Sequence, residues 1–265
     1  MTATETIRVM TYNLKYADND PPHSWPGRKE LVKEIIVNEA PDLIGTQEGL
    51  FPQLEDLAEL LPGYRWVGLG REGGSQGEYM AILYKHERLR VLEYGHFWLS
   101  DSPSLIGSCT WGNICPRMVT WVRFLDLKTK QHFYHFNTHL DNHSELARIE
   151  GAKLLAQRAL ELDSAMPIVV TGDFNENQQS EAYRILAGEG PFSDTWYLSA
   201  RRINEELGTF NDFSDPSGGN ERIDWILVRG NTEVRTAKIV GDRPGGQFPS
   251  DHYPIVVEMQ LEVHL

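Results

Sequence analysis

Apolar positions along the chain follow two rhythms. Runs in which apolar or β-branched residues adjoin or alternate predict strands at Ile7–Asn13, Asp42–Gln47, Tyr79–Tyr84, Met118–Asp126, His132–Leu140, Pro167–Gly172, Ile223–Val228 and Ile255–Val263. A spacing of three and four predicts helices: "RKELVKEIIVNEA" sets Leu31, Ile35 and Ile36 on one face, and "SELARIEGAKLLAQRALEL" repeats Leu146, Ile149, Ala152, Ala156 and Ala159. Early strands alternate with helices and later ones follow one another, which implies mixed sheets rather than a regular parallel barrel. Turn formers gather at Ala17–Gly27, Gly70–Gly77, Ser100–Pro116, Phe210–Asn220 and Gly241–Ser250. The chain has no evident linker of the length that separates domains, so residues 1–265 are expected to form a single domain.

Polar residues break these strands at one end. "IRVMTYN" ends in Asn13, "DLIGTQE" in Glu48, "FYHFNTHLD" in His139 and Asp141, and "IVVTGDFN" in Asp173 and Asn175. Asp224 interrupts the apolar run of "RIDWILV", and Asp251 and His252 precede the last strand. An acid in a buried strand costs several kcal/mol of desolvation unless it is paired or bound to a metal. Singly, each residue has an ordinary role: Asn13 a turn, Glu48 the cap of a helix beginning near Phe51, Asp224 a partner for Arg222 or Arg117. Together they imply one site where strand ends present side chains to a ligand.

Zinc fits this set poorly. His135 and His139 lie four apart in a strand, which separates them by ~13 Å, too far for one ion held at ~2 Å. His139 and His143 would need a helix where the alternation indicates a strand, and Asn142 or Ser144 reads as the N-cap of the following helix. Oxygen ligands such as Glu48 and Asp251 suit Mg²⁺ or Mn²⁺. Cys109 and Cys115 are expected to be reduced thiols in a loop, a local disulfide being the alternative.

Composition narrows the partners. The formal net charge is −13, with 38 acids against 25 bases, a field that repels long polyanions unless a basic cluster or bound cations reverse it. No window reaches the ~20 apolar residues that span a bilayer. The N-terminus lacks a basic segment followed by an apolar one, so a cytoplasmic location is expected.

The ordered series "MTYN", "GTQE", "NTHLD", "TGDFN", "RIDWIL" and "SDHYPI" resembles the motif series of the endonuclease/exonuclease/phosphatase superfamily, of which deoxyribonuclease I is a member. The resemblance runs from about Arg8 to Val257, and "SWPGRKELV", "GEYMAILYK", "FWLSDSP" and "PRMVTW" are similar to bacterial members of its deadenylase-like branch. It implies a four-layer α/β sandwich, two packed mixed sheets flanked by helices, and a metal-dependent phosphoester hydrolase holding one or two Mg²⁺ or Mn²⁺ ions. The same resemblance makes Glu48 the principal metal ligand, with Asn13 and Asp251 near the metal or its water. His252 would contact the scissile phosphate, Asp224 would orient it, and Asp173 would position or deprotonate the attacking water. Asn175 would hold a phosphate oxygen, His139 would donate a hydrogen bond and Arg117 would stand near the phosphate.

The substrate is left open by these residues. The long loops are polar and acid-balanced, which favours a small substrate or a short nucleic acid. A phosphodiester is the expected substrate, and a phosphorylated sugar, inositol or nucleotide monoester is the alternative. A binding protein on the same fold is a third reading, opposed by the intact Glu48, Asp173 and His252. Trp25, Trp111, Trp196 and Phe210 are candidates for a stacking wall or for packing their loops down. A monomer with no protein partner is expected.

Overall fold

In the computed structural model, which describes residues 5–18 and 21–261, the strands form two sheets. The elements run β1 (Ile7–Asn13), α1 (Trp25–Glu39), β2 (Leu43–Gln47), α2 (Phe51–Leu60), β3 (Tyr64–Val67), β4 (Ile82–Lys85), β5 (Leu89–Trp98), β6 (Met118–Asp126), β7 (His132–His139), α3 (Glu145–Leu160), β8 (Ile168–Asp173), β9 (Ser193–Asp194), β10 (Arg201–Ile203), β11 (Asp224–Arg229), β12 (Thr232–Ile239) and β13 (Ile255–Leu261). Short helical turns occupy Glu181–Tyr183 and Thr195–Leu198. One sheet has the order β10-β12-β13-β1-β2-β4-β3 and the other β5-β6-β7-β8-β11-β9; both mix parallel and antiparallel pairs.

Three apolar layers follow from the period of two. Along β1, Ile7 and Val9 face the other sheet while Met10 and Tyr12 face α1 and α2. Along β8, Val169 faces inward while Ile168 and Val170 face α3. Strands buried on both faces read as unbroken apolar runs, which is why the sequence shows them. The result is the four-layer sandwich of two mixed sheets flanked by helices.

The strands β1 and β6 have the expected bounds, and β2, β7, β8, β11 and β13 differ from the expected ones by a residue or two at their ends. For the last strand, Glu262 and Val263 lie outside the described residues. The strand expected at Tyr79–Tyr84 is shorter at its start, because Tyr79 makes only isolated bridges to Gly49 and Gly70. Five strands escape the sequence reading: β3, β5, β9, β10 and β12. The first four are sheet edges, and β12 has only the three-residue β10 outside it. One face of β5 is wet, and its "LRVLEYGHFW" mixes charged and apolar residues without a clean period.

Two helix faces are rotated from expectation. In α1, Val32 is fully buried beside Ile35 and Ile36, whereas Leu31 is half-buried. In α3, Leu146 is exposed and Ile149 half-buried, and the buried stripe is Ala147, Gly151, Ala152, Leu155, Ala156 and Ala159. Small residues win there because α3 lies close on its sheet: a Cβ on Gly151 would already stand 3.3 Å from Leu99. Ser144, not Asn142, is the N-cap, accepting from the Ala147 amide. Cys109 and Cys115 are free thiols. Among the described residues no helix is long and apolar enough to cross a membrane.

Between the sheets the inward residues change character along each strand. Val9 gives way to Thr11 and Asn13, Leu43 to Gly45 and Gln47, Phe133 to His135, Asn137 and His139, and Val169 to Thr171 and Asp173. Many of these polar groups pair with one another: Asn137 donates to the carbonyls of Thr46 and Ala81 and accepts from Gln47 at 2.8 Å, and Thr171 meets His135 at 2.8 Å, while Gln47 Oε1 and His135 Nδ1 have no partner among the described residues. Gly45 makes this approach possible, since a Cβ there would stand 1.9 Å from Thr171 Oγ1. Gly172 serves the same end on β8, where a Cβ would meet the Thr138 carbonyl at 2.8 Å.

Candidate active site

Register builds the site. His139 pairs with Asp173 across the parallel β7–β8 ladder, and Asp173 pairs with Asp224 across the antiparallel β8–β11 ladder. Three polar side chains thus stand in one row at the edge of one sheet. From the other sheet come Asn13 at the end of β1, Glu48 just past β2, and Asp251 and His252 just before β13. A cavity of about 250 Å³ opens where the rows meet, lined by Lys15, Glu48, His139, Asn142, Asp173, Asn175, Phe210, Asp212, Ile223, Asp251 and His252.

His252 is held between two acids. Its Nδ1 lies 2.9 Å from Asp224 Oδ2, and its Nε2 lies 3.7 Å from Asp173 Oδ2. Burial alone would push the imidazole pKa down, but Asp224 and then Asp173 override it and hold it up at about 10, so the ring is an imidazolium. Of the two partners the sequence allowed the Asp224 side chain, it meets the histidine and not an arginine; Arg222 reaches Asp194 instead. Asp173 is itself pushed up to about 7, by burial first and by Asp224 second. His139, with Nε2 3.4 Å from Asp173 Oδ2, is driven well below its ordinary value by burial and then by Arg117 and His252, so it stays neutral.

Asn13 ties the two sheets together. Its amide donates to Glu48 Oε1 and to Asp173 Oδ2, each at 3.0 Å, and its oxygen accepts from the Lys15 amide. The turn role and the site role thus coincide in one residue. Glu48 caps no helix: it accepts from Asn13 and from the Tyr16 amide, while Gln53 caps α2 by accepting from the Leu50 amide. Burial pushes the Glu48 pKa up, but Lys15 and the Asn13 hydrogen bond outweigh it and hold the carboxyl down.

Asn175 does not continue the strand. An extended chain would keep it on the face of Asp173, two residues back, yet its φ is 53° and its amide N–H folds back to Asp173 Oδ1 at 2.9 Å. The sharp turn still brings it into the cavity, with its side-chain amide on the Leu140 carbonyl. Lys15, Glu48, Asn175 and Asp212 all combine positive φ with a place in the cavity wall. Such strain costs of order 1–3 kcal/mol per residue and persists where the surrounding structure fixes it.

Arg117 does not line the cavity. Its guanidinium meets Asp141 at 3.2 Å and Asn142 at 3.0 Å, and its Nη1 has no partner. Of the four aromatic candidates only Phe210 lines the cavity, its ring edge-on to His252 at 5.1 Å. Trp25 and Trp196 are buried, and the Trp111 indole N–H is tied to Asp101. Lys15 and Asp212 were missed by the sequence reading: nothing in "NLKY" or "FNDF" sets them apart until the fold turns them inward.

Glu48, His139 and Asp173 each offer a ligand atom within 4.8 Å of the others'. Two carboxylates and one imidazole form a set that fits a hard divalent cation. Asp251 stands outside this group, with Oδ2 3.2 Å from Lys15 Nζ.

The endonuclease/exonuclease/phosphatase family model matches residues 10–252. The chain belongs to this family. An endonuclease/exonuclease/phosphatase family protein from Bacteroides thetaiotaomicron is 32% identical, with a TM-score of 0.92 over 98% of this chain and 99% of its own. A mannosyl-6-phosphatase from the same organism is also 32% identical, with a TM-score of 0.90 over 96% and 99%. The human Nocturnin catalytic domain with a bound sulfate anion shares the fold at 19% identity, with a TM-score of 0.75 over 97% and 94%. The matched span takes in the acids and histidines that this chain presents at its strand ends, from Asn13 to His252.

Proposed function

We propose that this protein hydrolyses a small phosphomonoester, a phosphorylated sugar in particular, with a divalent cation in its cavity. The observation that carries the reading is His252, held by Asp224 at 2.9 Å and lining the same cavity as Asp173 and Glu48. A cavity of about 250 Å³ is below the ~300–1,000 Å³ of drug-sized ligand sites and suits a phosphorylated monosaccharide better than a polymer. The similar mannosyl-6-phosphatase supports the same choice. Phe210 offers a flat apolar face, and Asp212 and Asn142 offer polar atoms, an arrangement that suits the hydroxyls and ring of a sugar. These features reverse the order of the two substrate readings that the loops alone suggested.

Glu48, Asp173 and His139 would hold Mg²⁺ or Mn²⁺, with Asp251 alongside. When bound, the ion supplies positive charge against the phosphoryl oxygens. Asp173 orients water and takes its proton as the oxygen attacks phosphorus. The P–O ester bond breaks, the leaving oxygen takes a proton from solvent, and Asp173 releases the proton it took from water, giving the alcohol and inorganic phosphate. His252 donates to a phosphoryl oxygen, where charge develops, and Asp224 fixes its ring. Asn175 donates to a second oxygen. Asn13 keeps Glu48 and Asp173 in register, and Arg117 acts through Asn142 or through its one unpartnered nitrogen.

The test is a panel of hexose 6-phosphates, p-nitrophenyl phosphate, bis(p-nitrophenyl) phosphate and short oligonucleotides, each with Mg²⁺ or Mn²⁺ and with EDTA. Turnover of monoesters that EDTA abolishes is expected. Preference for diesters or oligonucleotides, or activity that survives EDTA, overturns the reading.

A further inference from the structure

Lys15 follows Asn13 by two positions in "MTYNLKY", and its ammonium reaches the cavity through a backbone that a lysine does not adopt freely. Its φ is 54°, in the left-handed region that residues other than glycine seldom adopt. Every backbone polar atom of the residue is engaged. The amide donates to Asn13 Oδ1 at 3.0 Å, and the carbonyl accepts from Gln53 Nε2 at 3.0 Å and from Arg28 Nη2 at 3.2 Å. Arg28 is itself buried and donates to the carbonyls of Leu14, His23 and Pro249, so one guanidinium locks the turn from three sides. Conformations held this firmly against their own strain gather at functional sites.

The charge around Lys15 gives the strain a purpose. Glu48, Asp173, Asp212 and Asp251 line the cavity, and Lys15 is the sole lysine or arginine among the lining residues. Its ammonium meets Asp251 at 3.2 Å and lies over the Tyr16 ring at 4.7 Å, and an ammonium carries three donors. A partly exposed ion pair contributes little to stability and does not call for a left-handed lysine. An ammonium beside a phosphoryl site acts as a compact point charge, without the two-pronged geometry of arginine.

Building on the phosphomonoesterase reading above, we propose that Lys15 is the specificity-determining residue of this site, binding the second negative charge that a phosphomonoester carries and a phosphodiester lacks. A monoester, with its second pKa near ~6, is largely a dianion at neutral pH. A diester keeps one charge. In a cavity lined by four acids the extra charge is repelled unless a cation meets it, and Lys15 lines that cavity together with His252 and Asn175. The ammonium thereby touches substrate rather than acting through another residue.

The experiment compares full-length wild type, Lys15→Met and Lys15→Arg, all with Mg²⁺. It reads kcat/KM on p-nitrophenyl phosphate and on bis(p-nitrophenyl) phosphate, and the affinity for inorganic phosphate by calorimetry. Lys15→Met should lose roughly 10- to 100-fold on the monoester, the range of a charge-assisted hydrogen bond, and weaken phosphate binding by a similar factor. Its diester rate should change by less than about 3-fold, and Lys15→Arg should recover some of the monoester loss. Equal losses on both esters, or unchanged phosphate affinity, overturn the proposal. If the wild type turns over no monoester, the phosphomonoesterase reading fails, and the phosphate titration alone still decides whether Lys15 binds a phosphoryl dianion. Thermal unfolding reports whether each variant is folded; if Lys15→Met is not, Lys15→Gln takes its place with the same expected outcomes.

Discussion

The space between the two sheets has an apolar end and a polar end built from the same strands. At one end Val9, Leu43, Val122, Phe124, Val169 and Val228 pack into one buried cluster. At the other, Asn13, Gln47, His139, Asp173 and Asp224 follow on the same inward faces, equally buried. Backbone, spacing and burial are alike, and the side chains at every second position differ. The apolar end gains free energy from each methyl group removed from water. At the polar end the same burial is unfavourable, and it pushes Asp173 up to about 7. One sheet interface thus carries both the stability and the groups that draw on it.

If that division holds, substitutions at the two ends should affect different properties. Asp173→Asn should lower kcat/KM by about 10²- to 10⁴-fold, the range for losing a positioned acid or base. Its unfolding free energy should stay within about 1 kcal/mol of wild type, because relief of a buried carboxylate offsets the altered hydrogen bonds. Parallel kinetics and urea unfolding check both halves, and a large loss of stability would show that the polar end also holds the fold together. Leu43→Ala is the converse: about 2–5 kcal/mol of stability lost, with kcat/KM unchanged well below the unfolding temperature.

Per pH unit, the smallest effect is a slope of stability with pH. In metal-free protein, His252 is held at about 10 against an ordinary 6.5, so the folded state keeps a proton that the unfolded chain releases. Its contribution to stability is full below about 6.5 and is lost as pH rises through 10. Asp173, raised to about 7 from 3.8, works in the same direction at lower pH. His135, pushed down to about 3 by burial, opposes it: its contribution is full above 6.5 and is lost as pH falls. The unfolding free energy from urea titration should therefore decline from pH 7 to 10 by up to about 1.4 kcal/mol per pH unit. Asp224→Asn, which removes the acid that most raises His252, should flatten that decline.

Legibility in the sequence followed burial. Central strands such as β1, β8 and β13, apolar on both faces, were plain because each residue reports the same environment. Edge strands β3, β5, β9 and β10 were not, since one side or one face meets water and the pattern mixes. The stripe of α3 was misplaced because large side chains are the usual core residues, whereas close packing on the sheet selected Ala147, Gly151 and Ala152. In the site, acids and histidines that interrupt apolar runs were visible because interruption of a buried strand is costly. Lys15 and Asp212 lie in ordinary polar turns, where a charged residue carries no such signal.

The sequence by itself determined the strands with two buried faces, the acids and histidines at their ends and, through the ordered motifs, the family. Tertiary structure decided which of those groups meet: the β7–β8–β11 register aligns His139, Asp173 and Asp224, and the facing sheet brings Glu48 and His252 to them. It also turned Asn175 and Lys15 into the cavity through left-handed backbone. The reason is physical. Burial and periodicity are properties of a residue and its near neighbours, whereas the pairing of charges depends on chain segments as far apart as Asn13 and Asp173, 160 positions in sequence and 3.0 Å in space.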